Sequence, residues 1–169
     1  MTALIFSLLR LLSVFSVAVI ASATAHACSC GVDGGSFFKF SKGQTVIRGT
    51  VESLGPPVDQ VESVRRSINV SVDEVLTGQF DEASVELLGD RGWDCLEYLN
   101  ESIYYPGSQH LFILFSNAPS QGLTVCGEAS LRFEEDQVKG VRWGAQGPRE
   151  YSIAYDKYVR RLRRRETRQ

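Results

Sequence analysis

The stretch Ser67-Ile68-Asn69-Val70-Ser71-Val72-Asp73-Glu74-Val75-Leu76 alternates apolar and polar residues, with Val75 continuing the apolar set. Successive side chains of a strand point to opposite faces, so this period marks a strand with one buried face. Thr77-Gly78 closes it. Outward from it, Thr45–Leu54 carries Val46, Ile47 and Val51 and is stopped by Gly55-Pro56-Pro57. Ser84–Leu88 reads as a third strand, and Gly122–Cys126 as another. Between them, Gln109–Phe115 is the most apolar run, and it fits a central strand buried on both faces. Residues 89–108 form a long loop with Trp93, Cys95 and Asn100. Loops of that length are usually functional or tied down.

Near the end the period changes. Tyr151, Tyr155, Tyr158 and Leu162 fall at i, i+4, i+7 and i+11, a helical stripe. The arginines after it sit in the last turns, where they suit the helix dipole. The pattern predicts a mainly β chain, a five-stranded OB-type barrel with a C-terminal helix. A β-sandwich fits the same pattern. No internal repeat or dividing linker is visible, so one domain is expected.

The first residues read as a targeting segment. Arg10 precedes an apolar run, Leu11–Ala21, and Ala25-His26-Ala27 has the form cleaved by signal peptidase. An uncleaved anchor is the competing reading, but the run is short for a membrane span. The expected organisation is a signal peptide at 1–27, a barrel at 28–149, and a basic amphipathic helix and tail at 150–169. The mature chain then starts at Cys28 and is secreted or periplasmic. It carries 17 Lys+Arg against 20 Asp+Glu, and seven of the basic residues lie in the last 13 positions. The body is acidic and the tail basic.

Cys28, Cys30, Cys95 and Cys126 all follow the cleavage site. An even count in an exported chain reads as a disulfide framework, with three possible connectivities. A zinc site of four cysteines normally uses two close pairs, and only Cys28 and Cys30 are close.

Cys28-Ser29-Cys30 at a mature terminus is joined by Thr45–Val51, by Val75-Leu76-Thr77-Gly78, by Asp94-Cys95 in a long loop, and by Cys126 after a late strand. Together these resemble the N-terminal, netrin-like domain of the tissue inhibitors of metalloproteinases, over roughly residues 28–133. The resemblance implies an OB-type barrel with Cys28–Cys95 and Cys30–Cys126 disulfides. It also implies inhibition of a zinc metalloendopeptidase. The α-amine and backbone carbonyl of Cys28 would chelate the protease's zinc and displace its activated water. An α-amine with a pKa of roughly 7.7–8.0 loses its proton at little cost near neutrality. By the same resemblance Ser29 enters the specificity pocket, and Gly31 and Val32 continue the contact strand. Trp93 and Asp94, beside Cys95, form the adjoining ridge. Trp93 also suits a core position over a disulfide, and Asp94 suits a turn. The family has prolines soon after C-x-C, where this chain has Gly31-Val32-Asp33-Gly34-Gly35. Its third disulfide in this domain has no counterpart here.

Two other readings compete. A cysteine directly after a signal peptide can be lipidated, which would anchor the chain to a membrane and block chelation. Ala25 and His26 fit that recognition site poorly. The second is a non-inhibitory binding module that uses the barrel face or the arginine run. An acidic, exported body argues against nucleic acid. One mature histidine and no Gly-rich phosphate loop leave no recognisable nucleophile–base set, so neither an enzyme nor a resident cofactor is expected. A monomer is expected.

Overall fold

The structure, a computed structural model, describes residues 37, 41, 43–59, 61–90, 96–123, 128, 130–144 and 147–167. They form eleven strands and one helix. In chain order the strands are β1 Thr45–Leu54, β2 Pro57–Val58, β3 Val61–Arg65, β4 Ser67–Thr77, β5 Ser84–Leu88, β6 Leu99–Asn100, β7 Gln109–Leu114, β8 Ser120–Gly122, β9 Ser130–Glu134, β10 Gln137–Gly144 and β11 Gly147–Ala154. The helix, α1, spans Tyr155–Glu166. The chain is therefore mainly β with one C-terminal helix. No described helix is long and apolar enough to cross a membrane.

Eight strands make one sheet, ordered β11-β10-β9-β7-β1-β4-β5-β8. Its pairs are antiparallel except β5 with β8, which run parallel. A second small sheet is ordered β2-β3-β6. Residues 123–129 join β8 to β9, so the chain passes directly from one edge of the set β9-β7-β1-β4-β5-β8 to the other.

β1 and β7 sit in the middle of this set and are buried on both faces. On one side Ile47, Val51, Phe112 and Leu114 meet Ile68 and Val70 of β4, Val85 and Leu87 of β5, and Leu99, Tyr104 and Leu123. On the other side Val46, Leu111 and Ile113 meet Leu131, Val138, Phe37 and the helix residues Tyr158, Val159 and Leu162. The alternation of β1 and β7 thus feeds two cores, as expected for Gln109–Phe115. The β1–β4 ladder shifts register at three places. Such bulges bend a strand and increase its twist. At one of them Gly49 lets the strands approach, because a Cβ there would lie 2.6 Å from the Ser71 carbonyl oxygen.

The helix differs from its expected extent. It starts at Tyr155, and Tyr151 lies in β11, opposite Gly140 of β10. Tyr151, Ile153 and Tyr155 also alternate with period two, and all three pack against the second core. That strand period shares Tyr155 with the helical stripe, and cross-strand pairing with β10 decides between them. Instead of the strand expected over Gly122–Cys126, β8 starts two residues earlier, at Ser120, and ends at Gly122. Residues 124–127 lie outside the described residues. The long loop at 89–108 contains β6, which pairs with β3.

The β9–β10 hairpin turns on Glu135 and Asp136, with φ of 52° and 60°. Both residues occupy the left-handed region that a two-residue hairpin favours but that suits Asn and Gly far better than Glu. The double substitution E135N/D136G is expected to raise the unfolding free energy by about 1 kcal/mol, read by urea titration. A neutral or destabilising result would mean that the turn is not strained. A second contrast tests the double-sided core. Phe112 is fully buried while Phe115 is 43% exposed. Phe112→Ala should cost about 3–5 kcal/mol, and Phe115→Ala under about 1 kcal/mol.

Candidate functional site

The expected site residues Cys28, Ser29, Cys30, Gly31, Val32, Trp93, Asp94 and Cys95, with Cys126, lie outside the described residues. Asp90 and Leu96 on either side of 91–95, and Leu123 and Glu128 on either side of 124–127, are described, and the first described residue after Val32 is Phe37. β5 ends at Leu88, and the Leu88 carbonyl accepts from the Leu123 N–H at 2.9 Å. The Leu123 carbonyl accepts from the Glu97 N–H at 2.6 Å, and the Glu97 carbonyl accepts from the Asp90 N–H at 3.0 Å. Gly122 faces Leu96 so closely that a Cβ would lie 2.6 Å from Leu96 Cδ2. Asp90, Leu96 and Glu97 thus lie beside Gly122 and Leu123.

Glu128 is held by two hydrogen bonds. Its Oε2 accepts from the Phe37 N–H at 3.0 Å and from the Tyr151 hydroxyl at 3.1 Å. Phe37 is fully buried, edge-on to Tyr158 at 6.1 Å between ring centres. Phe37 and Glu128 thus belong to the second core's side of the sheet, whereas Leu123 belongs to the first core. Glu128 was not singled out in the sequence, because its partners lie far away along the chain.

Two other polar clusters are well formed. Glu74 takes a hydrogen bond from the Tyr155 hydroxyl at 2.7 Å and faces Arg48 and Arg163, each at 3.8 Å. The Arg48 guanidinium lies 5.3 Å from the ring centres of both Phe133 and Tyr155. Burial is the first cause, and the Glu74 bond the second, of a raised Tyr155 hydroxyl pKa. This cluster clamps α1 to β1, β4 and β9.

The second cluster surrounds His110. Its Nε2 lies 3.1 Å from Ser108 Oγ, and its ring packs on Tyr104 and Phe112. The Tyr104 hydroxyl reaches Ser130 Oγ at 2.6 Å. A Ser–His pair at this distance is half of a nucleophile–base arrangement. Here the serine is 4% and the histidine 1% exposed, so substrate does not reach them. Burial pushes the His110 pKa down to about 4, and nearby Arg132 adds to this, while a backbone bond to Ile103 and the charge of Glu134 oppose it. Parity in β7 places His110 on the same face as Phe112 and Leu114, so its burial is readable in the alternation. Among the described residues no group of three His, Cys, Asp or Glu is placed to hold a metal ion.

Comparison with protein-family models, with curated proteins and with solved structures finds no match.

His110 has a stability consequence. Its folded pKa of about 4 lies below the ordinary 6.5. The unfolded chain therefore binds its proton first, and stability is lost as pH falls from 6.5 towards 4. The loss amounts to about 3 kcal/mol when complete. Glu97, raised by burial, acts in the opposite sense: its contribution is present at low pH and is lost as pH rises through its folded pKa. Urea unfolding at pH 7 and pH 5 should show a clear drop for the native chain and a smaller one for His110→Gln. Equal drops would show that His110 is not the titrating group.

Proposed function

We propose that the mature chain is an exported, disulfide-stapled OB-type module that inhibits zinc metalloendopeptidases through its Cys28 terminus. The observation that carries this reading is the spacing of Cys28, Cys30, Cys95 and Cys126 in a chain that folds mainly as β-strands with one C-terminal helix. The strand order supports the barrel. β7-β1-β4-β5-β8 are neighbours in that order, and the strand that follows β8 in the chain, β9, lies beside β7, an order compatible with a partly open five-stranded barrel.

The mechanism follows from the chemistry of an α-amine held by two bridges. Once deprotonated, the Cys28 nitrogen and its own carbonyl oxygen close a five-membered chelate on the target's zinc. That displaces the water which the metal would activate. The Cys28 sulfur is engaged in its bridge and takes no part. The bridges fix the amine's direction before binding, which lowers the entropy lost on association. Ser29 then faces the specificity pocket, while Gly31, Val32, Trp93 and Asp94 line the contact on either side. Each long-loop bridge also stabilises the fold by about 4 kcal/mol in the chain-entropy account.

The test is an inhibition assay against a panel of zinc endopeptidases, with the exported chain and with a form carrying one extra Ala before Cys28. The native terminus is expected to inhibit and the extended form to lose at least about a hundredfold in affinity. Intact mass should match residues 28–169 less four hydrogens, recovered on reduction. Equal inhibition by both forms would sink the chelation mechanism. A mass increased by lipid would sink the free terminus and leave a tethered binding module.

A further inference from the structure

The solvent face of α1 carries a line of cations that the clamp on its other face does not use. Tyr158, Val159 and Leu162 are buried in the second core at 0%, 8% and 3% exposure. At 100° per residue the opposite pole of the helix falls on Lys157, Arg160 and Arg164, with Arg161 on its flank. All four are exposed. Arg160 meets Asp156 at 2.7 Å, and Arg163, nearer the sheet, faces Glu74. Lys157/Arg161 and Arg160/Arg164 are like-charge pairs at i, i+4, an arrangement that weakens a helix by a few tenths of a kcal/mol each. The cost is borne in a chain whose remaining body is acidic.

We infer that this stripe binds a linear acidic polysaccharide, with carboxylate or sulfate groups spaced along the helix. The stripe runs about 10 Å from Lys157 to Arg164. A thin chain lying along it stays on the cations. A planar anionic membrane would instead bring negative charge within a Debye length, about 8 Å, of the acidic body. The helix also has no exposed apolar side chain to enter a bilayer: the exposed large hydrophobics among the described residues are Tyr98, Ile103, Tyr105, Phe115 and Val141. Nucleic acid is disfavoured for a similar reason, since the helix exposes no aromatic ring on which bases would stack. The docking of α1 on the sheet holds the stripe in one line, so little order has to be created on binding.

The experiment uses the exported mature chain and a sulfated dextran of defined length, read by titration at several salt concentrations. Parallel titrations use vesicles containing anionic phospholipid and a single-stranded oligonucleotide. The dextran is expected to bind most tightly, with affinity falling steeply as salt rises. K157Q/R160Q/R164Q should bind it about tenfold or more weakly with a flatter salt dependence, at an unchanged unfolding midpoint. R66Q/K139Q, which removes two cations elsewhere, should bind as the native chain does. Should the triple variant unfold, K157Q and R164Q separately should each weaken binding several-fold. Equal binding by native and triple variant overturns the inference, as does no binding at all. Tighter binding of vesicles or of the oligonucleotide overturns it in favour of a membrane or of nucleic acid.

Discussion

Burial of β1 and β7 on both faces is the constraint on which the rest of the structure depends. A strand that is apolar on both sides must be covered twice. The first cover comes from β4 and β5, curved by bulges, with Leu99, Tyr104 and Leu123 filling the space they enclose. The second comes from β9, β10, Phe37 and the helix. Each fully buried aliphatic or aromatic side chain contributes about 1.5–3 kcal/mol relative to exposure. Neither layer is therefore an ornament on the other: losing one would expose a face of both central strands.

Electrostatics is subordinate to this packing. The Glu74 cluster ties the helix to the sheet only after Tyr158 and Leu162 have brought it there. Its ion pairs are partly exposed and long, at 3.8 Å, where such pairs contribute little. The Arg48 guanidinium between Phe133 and Tyr155 is a firmer contact, because the rings shield it from water. Together they fix the rotation of α1 more than its stability. That rotation decides which of its side chains meet solvent.

The strands with strong alternation were legible in the sequence: β1 and β5 have the expected bounds, and β4 and β7 differ by a residue at one end. Their neighbours were not. β9 alternates, with Leu131 and Phe133 against Arg132 and Glu134, but over only five residues, and β10 breaks its period at Gly140, after which Val141 and Trp143 fall on the other parity. β11 overlaps the helical stripe at Tyr151 and its period runs on into Tyr155, the first helical residue, so one set of residues satisfies two periods and only pairing with β10 separates them. β2, β3 and β6 are short, and tertiary contact rather than pattern defines them. For the candidate site, the cysteine spacing was visible and the contacts of Glu128 were not. Glu128 shows why. Its partners, Phe37 and Tyr151, are remote in sequence, and a carboxylate in an irregular stretch carries no periodic signal.

The contact of Phe37 with Tyr158 has a kinetic meaning. It joins positions near the two ends of the described chain, and contacts of such long range are slow to form because loop closure precedes any reward. The first core needs nothing beyond Leu123 and can assemble early, whereas the second stays open until α1 has been synthesised. A chain emerging stepwise therefore presents Leu111, Ile113 and Val46 uncovered for the whole interval. That delay keeps the second core pliable until the last turn of helix arrives.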